Sequence, residues 1–415
     1  MVRATIELSG HIIDSRILPR VMDAIMDMGG DFHIEEIRVG RTKQDTSYAR
    51  IEIKASTPDE LEAIVEEVRG LGATVVDQDE VALEAATQDG VFPEGFYSTT
   101  NLDTFVRVAG SWIPVSDIEM DCGIVVDLSG TPPTARCVPL HRVKKGDLLV
   151  VGSRGVKVVP LERARHREIF SFMGSPVSSE RPKALVVEEI ARTMRDIRAR
   201  GKKILAVAGP AVIHTGAGKH LSALIQAGYV NVLFAGNAVA THDVESALYG
   251  TSLGVYLENG AAAAEGHAHH LRAINTIRRL GGLRAAVEAG VLKKGVMHAC
   301  ITHGVDYVLA GSIRDDGPLP DVITDTVKAQ EAMRSHLPGV ELAVMIATML
   351  HSIATGNLLP ARVRTICVDI NPATVTKLAD RGSHQAIGIV SDVEWFLKEL
   401  ASLLVGEAVG QVAGA

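Results

Sequence analysis

The sequence predicts an α/β protein in three parts: a ferredoxin-like α+β domain, a small β-rich subdomain, and a Rossmann-like domain filling the C-terminal half. Three observations carry this. Over the first 85 residues the apolar period changes in the order β-α-β-β-α-β. Residues 90–165 are short apolar runs broken by turn residues. From Lys183 onward, helical patterns alternate with apolar strands, as in a parallel sheet covered on both faces.

Each N-terminal element has a local reason. Ala4–Leu8 alternates as a strand does. Ser15–Met28 carries Ile17, Leu18, Val21, Ile25 and Met28 at helical spacing, with Pro19 near its start, where proline is tolerated. Gly29-Gly30 stops it. Phe32–Val39 and Tyr48–Ile53 alternate and are joined by a polar loop. Thr57-Pro58-Asp59-Glu60 then supplies an N-cap, a proline at the first helical position and a capping-box glutamate. That helix runs to about Leu71, and Ala73–Asp77 is the last strand. The predicted first domain is 1–85.

The second segment, 90–165, contains the short strands Phe105–Val108, Gly123–Asp127, Leu148–Val151 and Val156–Pro160. Residues 166–182 are rich in charge, Gly, Ser and Pro and read as a linker. The third segment, 183–405, opens with a helix over Lys183–Arg200. Its strands are Lys203–Ala208, Val230–Phe234, Asp306–Leu309, Leu342–Ile346, Thr365–Ile370 and Ala386–Val390. On such sheets ligands bind at the carboxyl ends of the strands, so the chemistry is sought there.

Composition narrows the function classes. The 415 residues exceed one ordinary core, so several domains are expected. A net charge of −8 argues against nucleic acid or an anionic membrane as the main partner. Four scattered cysteines without a C-x-x-C pair suit a reducing compartment rather than a disulfide scaffold. No signal peptide or membrane-length apolar run is predicted, so the expectation is a soluble cytoplasmic enzyme.

The first strand of the third segment ends in Ala208-Gly209-Pro210-Ala211-Val212-Ile213-His214-Thr215-Gly216-Ala217-Gly218-Lys219-His220, followed by a helix. Gly209, Thr215, Gly216 and Gly218 let a backbone approach a diphosphate at a helix N-terminus. Neither the Walker A spacing nor G-x-G-x-x-G is present, and an ordinary Gly-rich turn is the plain alternative. The second strand ends in Gly236-Asn237-Ala238. Asn237 and Ala238 fall where a dinucleotide site meets the ribose, although an asparagine helix cap explains Asn237 equally well. Asp369, at the end of Thr365–Ile370, suits ribose hydroxyls or a helix cap.

The loop Gly311-Ser312-Ile313-Arg314-Asp315-Asp316-Gly317-Pro318-Leu319-Pro320-Asp321 crowds charge at a strand end. Carboxylates there match a substrate ammonium, and Arg314 matches a carboxylate; an amino acid needs both. A solvated loop is the alternative. Glu265-Gly266-His267-Ala268-His269-His270 lacks familiar zinc spacing, so no metal site is predicted. Cys300 and His303 invite a nucleophile reading, but a buried cysteine in a small-residue helix is the commoner case.

The segments Glu7–Asp14-Ser15, Met26–Phe32 and Asp45–Arg50 resemble the N-terminal region named for the lysine-oxoglutarate reductase/saccharopine dehydrogenase bifunctional enzyme. The remainder resembles the archaeal-type, or alternative, ornithine cyclodeaminases. It is also similar to the C-terminal module of cyanobacterial arginine dihydrolase/ornithine cyclodeaminase fusions. The loops at Gly209–His220, Asn237–Glu245 and Gly311–Asp325 are the most specific parts of the likeness. The arginine-hydrolysing domain of those fusions is missing, so arginine is not implied as substrate.

The resemblance implies a deoxyhypusine-synthase-type NAD-binding fold, NAD as cofactor, a homo-oligomer, and conversion of L-ornithine to L-proline and ammonia. A hydride leaves the α-carbon, the δ-amine closes the ring, ammonia departs and the hydride returns. Under that reading Gly209, Thr215, Gly216, Gly218, Asn237, Ala238, Gly311, Ser312 and Asp369 are the candidate NAD contacts. Arg314, Asp315 and Asp321 are the candidate substrate contacts. Lys219, His303 and Asp316 are the candidate catalytic groups, with His220 a further candidate base. A net amino-acid or saccharopine-type dehydrogenase and a non-catalytic amino-acid sensor stay open as alternatives.

Overall fold

The computed structural model describes residues 2–13, 16–41, 45–75, 80–159, 183–263, 266–315, 317–380 and 386–406. The predicted linker over 166–182, the end of the predicted Ala73–Asp77 strand, Glu265 and Asp316 lie outside the described residues. The chain divides into two compact units, 1–174 with 357–362, and 175–356 with 363–415.

The first unit begins with β1 (Val2–Gly10), α1 (Ile17–Asp27), β2 (Asp31–Arg38), β3 (Ser47–Ala55), α2 (Pro58–Gly70) and β4 (Thr74–Val75). The sheet order β2-β3-β1-β4 is ferredoxin-like, as the alternating periods predict. Antiparallel pairing runs the full length of β1 and β3, from Val2 opposite Ala55 to Gly10 opposite Ser47. Because side chains alternate, this register puts Ile6, Leu8, Ala49, Ile51 and Ile53 on one face. They are buried against Leu18, Val21 and Ile25 of α1 and Ile64 and Val68 of α2. The capping box on α2 forms as read: the Thr57 hydroxyl accepts from Glu60 N–H at 3.2 Å, and Glu60 accepts from Thr57 N–H at 3.2 Å.

A second sheet follows, from β5 (Ala82–Ala85), β6 (Thr104–Val108), β7 (Ser111–Ser116), β8 (Gly123–Asp127), β9 (Thr134–Val138), β10 (Leu148–Val151) and β11 (Val156–Val158). Its order is β11-β6-β7-β9-β8-β10-β5. β5 pairs with β10, so the change of sheet falls before Ala82 and not after residue 85. β7 and β9 were not expected as strands. Trp112 is exposed and Pro114 interrupts β7, which hides its alternation.

The second unit contains α3 (Lys183–Ala199), β12 (Lys203–Ala208), α4 (Ala211–His214), α5 (Gly218–Gln226), β13 (Val232–Gly236), α6 (Asn237–Tyr249) and the short hairpin β14 (Thr251–Ser252) and β15 (Val255–Tyr256). Then come α7 (His269–Leu280), α8 (Leu283–Glu288), α9 (Val296–Thr302), β16 (Asp306–Ala310), α10 (Thr326–His336), β17 (Val340–Ile346) and α11 (Met349–Leu358). It closes with β18 (Arg364–Asp369), α12 (Pro372–Asp380), β19 (Ala386–Val390) and α13 (Val393–Val405). The six main strands are parallel, in the order β16-β13-β12-β17-β18-β19. Near-continuous apolar runs such as Ile204–Ala208 and Val232–Ala235 are buried, because helices cover both faces. No helix among the described residues is long and apolar enough to cross a membrane.

Replacing Thr57 by Ala removes an N-cap acceptor. It should lower the stability of the N-terminal unit by about 1 kcal/mol, read from the midpoint of urea unfolding.

Candidate active site

Numbered along the chain, the six parallel strands have the order 3-2-1-4-5-6. That is the Rossmann arrangement, and its topological switch lies between the first strand, β12, and the fourth, β17. The carboxyl ends of these two strands draw very close. Gly209 N–H donates to Ile346 O at 2.8 Å. A Cβ built on Gly209 would overlap the Ala347 carbonyl oxygen, so only glycine fits. Ala347 itself has φ +51°, a left-handed conformation that costs a non-glycine residue about 1 kcal/mol or more. After the short α4, Gly216 turns the chain with φ +78°, and nothing lies within 4 Å of where its Cβ would be. α5 begins at Gly218, beside that open space.

Helix α11, which leaves β17, brings His351 over the strand ends. A Cβ on Gly236, the last residue of β13, would come within 3.0 Å of His351 Cε1. Burial pushes the imidazole below its ordinary range, while the Asp315 carboxylate pulls in the opposite sense. His351 was not singled out from the sequence. It sits in the unremarkable run Met349-Leu350-His351-Ser352, and only the sheet order reveals that this turn flanks the switch.

A polar cluster lies between α4, α6 and the β14–β15 hairpin. Glu245 has no solvent exposure. Its carboxylate accepts from His242 Nδ1 at 2.8 Å, Thr251 Oγ1 at 3.0 Å, Gly254 N–H at 2.9 Å and Leu253 N–H at 3.2 Å. Burial opposes its charge, but the hydrogen bonds from His242, Gly254 and Thr251 outweigh burial and hold the carboxyl below its usual range. The His242 ring meets the His214 ring edge-on, with centroids 4.6 Å apart. His214 Nδ1 shares a 2.7 Å hydrogen bond with Ser252 Oγ. His269 Nδ1 bonds Thr251 Oγ1 at 2.9 Å, and its ring stacks on Tyr249 at 4.8 Å. Burial, and secondarily His242, push His214 down to about 4.

A second buried carboxylate on the same helix has a structural task. Asp243 accepts from Val296 N–H and Met297 N–H, each at 2.8 Å, and so caps α9. Burial pushes it up to about 6 against those two bonds. Gly295 has φ +107°, and a Cβ there would come within 2.7 Å of both Asp243 oxygens. Cys300 is fully buried behind this cap, and burial raises its thiol. It is a core residue with little thiolate character.

Gly209, Asn237, Ala238, Gly311, Ser312, Arg314, Asp315 and Asp369 lie at or just beyond the carboxyl ends of β12, β13, β16 and β18. Thr215, Gly216, Gly218 and Lys219 lie on the α4–α5 connection. Lys219 is exposed on the first turn of α5. The Thr215 hydroxyl donates back to Ala211 O at 2.8 Å. Asn237 does not cap its own helix. Its Oδ1 accepts from Leu319 N–H at 3.1 Å and Thr241 Oγ1 at 3.2 Å, which ties the acidic loop to the start of α6. Asp369 Oδ1 accepts from Asn371 N–H at 2.8 Å in the turn ahead of α12, and the first-turn amide of that helix, Ala373 N–H, donates to Asn371 Oδ1 instead.

Two expectations are corrected. Asp321 is occupied within the protein: its Oδ2 accepts from Leu283 N–H at 2.9 Å, capping α8, and its Oδ1 accepts from Tyr307 Oη at 3.4 Å. His303 follows α9 and precedes β16, at the amino end of that strand. A strand of 5 residues separates it from the carboxyl ends by about 15 Å, so it joins none of the other candidates. His220 packs toward α13, its Nε2 3.7 Å from Glu394. Asp316 lies outside the described residues, and its neighbour Asp315 accepts from Ser312 N–H at 2.8 Å.

The strand order defines a Rossmann-fold, dinucleotide-type α/β protein. Residues 188–400 match the family described as arginine dihydrolase ArgZ-like, C-terminal, Rossmann fold. Residues 103–187 match its first region, and residues 3–102 match the LOR/SDH bifunctional enzyme conserved region. The ornithine cyclodeaminase of Methanopyrus kandleri is 59% identical over 402 residues, 96% of each chain. The chain belongs to the ornithine cyclodeaminase family. Among solved structures, apo ArgZ, a cyanobacterial arginine dihydrolase, is 41% identical with a TM-score of 0.83, covering 97% of this chain and 58% of that one. AgrE in complex with ornithine and NAD+ is 43% identical with a TM-score of 0.53, covering 99% of this chain and 58% of that one.

The two glycines of the first turn should respond differently. Gly209→Ala must displace the β17 turn and should lower the melting temperature markedly. Gly216→Ala meets only backbone strain of about 1 kcal/mol and should lower it by a few degrees. Calorimetry of both variants checks the order.

Proposed function

We propose that the protein is an NAD-dependent ornithine cyclodeaminase that converts L-ornithine to L-proline and ammonia. The observation that carries this reading is its likeness, over 99% of the chain, to a relative solved with ornithine and NAD+ together. The Rossmann strand order supports it, as does the open space over Gly216 at the start of α5, which leaves room for a diphosphate. Thr215, Gly216 and Gly218 would line the diphosphate, Gly209 would shape the turn that presents them, and Ala238, Gly311 and Ser312 would line the adjoining strand ends. NAD supplies acceptance of the α-hydride and its later return.

The chain's own groups bind and orient the amino acid. Asp315 stands partly exposed on the rim beside His351 and offers a carboxylate to an ammonium. Arg314 is exposed on the same turn and offers its guanidinium fork to the ornithine carboxylate. Asp316 belongs to the same reading by sequence neighbourhood. The protein is further taken as a cytoplasmic homo-oligomer, for which sedimentation at micromolar concentration is the check; a monomer would refute it.

Ornithine and substoichiometric NAD+ should yield proline and ammonia without accumulating NADH. Steady NADH release would favour a net dehydrogenase instead. Ornithine deuterated at the α-carbon should give proline deuterated at its α-carbon, read by mass spectrometry, because the same hydride returns. Asp315→Asn should raise the ornithine KM roughly two- to fivefold, the modest loss expected of a partly exposed charge partner, while NAD affinity stays within twofold.

A further inference from the structure

Ring closure in an ornithine cyclodeaminase needs a group that accepts a proton from one substrate nitrogen and delivers it to another. Of the candidate bases found by sequence, His303 sits at the amino end of β16, His220 packs toward α13, and Lys219 is exposed on the first turn of α5. The polar cluster behind α4 has the missing arrangement. α4 and α6 follow the carboxyl ends of the adjacent strands β12 and β13, of which β12 borders the switch, and they pack on each other. His214 is half-buried at the end of α4, His242 lies behind it, and fully buried Glu245 lies behind both.

The protonation pattern follows from the partners. An ionised carboxylate only accepts, so His242 Nδ1 carries a proton. The Thr251 hydroxyl donates to Glu245 and therefore accepts from His269 Nδ1–H. His214 is held at Nδ1 by Ser252 Oγ and packs edge-on against His242, whose own Nδ1–H is held by the buried Glu245 carboxylate; an imidazole fixed by such partners is the form an acid–base group takes.

We propose that His214, backed by His242 and Glu245, is the acid–base residue that moves protons between the two ornithine nitrogens during ring closure. This rests on the cyclodeaminase reading above. The δ-ammonium gives a proton to the His214 imidazole. The freed lone pair forms the bond to the α-carbon of the iminium, and the C=N pair moves onto the α-nitrogen. His214 returns its proton to that nitrogen and takes the surplus proton from the ring nitrogen. The ring lone pair then expels ammonia, the Cα–N bond breaks and a cyclic iminium remains. Ammonia leaves as ammonium with the proton from His214, and the residue ends as it began. Burial, and after it His242, keep the resting ring neutral, while the fixed negative charge of Glu245 acts in the opposite sense and favours the transient cation. His214 is the group that touches substrate; His242 and Glu245 are positioning residues.

The test compares wild type, His214→Asn, His214→Ala and His242→Asn in proline formation from ornithine with catalytic NAD+, and in NAD+ binding by titration. His214→Asn should lower kcat by roughly 10²–10⁴-fold with NAD affinity within threefold. His242→Asn should lower kcat less. Added imidazole should restore part of the His214→Ala activity, which a packing role would not allow. Retention of kcat within threefold in His214→Asn overturns the proposal while leaving the cyclodeaminase reading intact. A loss that imidazole does not restore assigns the ring to packing and also overturns it. If wild type itself makes no proline, the underlying reading fails and the proposal fails with it.

Discussion

The burial of Glu245 is the constraint on which the catalytic half of the molecule turns. A carboxylate without solvent exposure must find donors inside the protein or lose its charge. It finds four, and each fixes a different piece of chain. His242 fixes a face of α6. Thr251 sets the start of the hairpin. The Leu253 and Gly254 amides bend the backbone back over the helix. Leu253 takes φ +53° in that bend, a conformation that this closure over-determines. Asp243, two residues earlier, faces the other way and clamps α9. One helix thus carries two buried carboxylates with opposite electrostatic outcomes. Glu245 has side-chain and backbone donors sufficient to keep it ionised. Asp243 has two amides against complete burial, and its carboxyl rises.

The Rossmann order decides where this helix points. Parallel strands place every β-to-α turn on one edge of the sheet, so α4, α6 and α11 all start within reach of the switch. The close approach of Gly209 to Ala347 follows from the same geometry. Adjacent strands lie about 4.8 Å apart, and turns leaving both in opposite directions leave no room for a Cβ between them. The Gly-rich segment therefore contains two kinds of glycine. Gly209 is required by neighbouring backbone. Gly216 is required by its φ and faces open space. Only the second kind leaves space for a ligand.

The fold was largely legible in the sequence because its periods are clean. Strands buried on both faces read as unbroken apolar runs, and Thr57-Pro58-Asp59-Glu60 announces a helix start whose cap forms as read. Short strands of the second sheet were less legible: β7 lies inside that sheet, yet it carries a proline and an exposed tryptophan. The candidate site was legible as positions and less so as roles. Asp321 and Asp315 look alike in a charged loop. Only the fold shows that one is consumed by an amide of α8 and a tyrosine. His303 was drawn in by its nearness to a strand in sequence, but it is the wrong end of that strand. His214 lay inside the quoted Gly-rich segment, yet its partners are 28 to 38 positions away, at His242 and Ser252. No local pattern signals such a pair.

The division between a mobile-charge rim and a fixed polar interior suits a substrate with two ammonium groups and one carboxylate. Exposed Arg314 and half-exposed Asp315 can meet the charges of an incoming amino acid in water, where each contact is modest and exchange is easy. Ring closure needs the opposite setting. A proton must leave one nitrogen and reach another without a solvent ion stepping in. An imidazole pair near a buried anion has the charge of the transient imidazolium offset as the proton arrives, and Glu245 itself never has to be protonated or re-solvated. Positioned dipoles and charges in a water-poor site need little reorganisation as the reaction proceeds. The structure already bears the cost of burying Glu245, through four hydrogen bonds made before any substrate arrives. The acid–base group is therefore ready at the moment the ring nitrogen attacks.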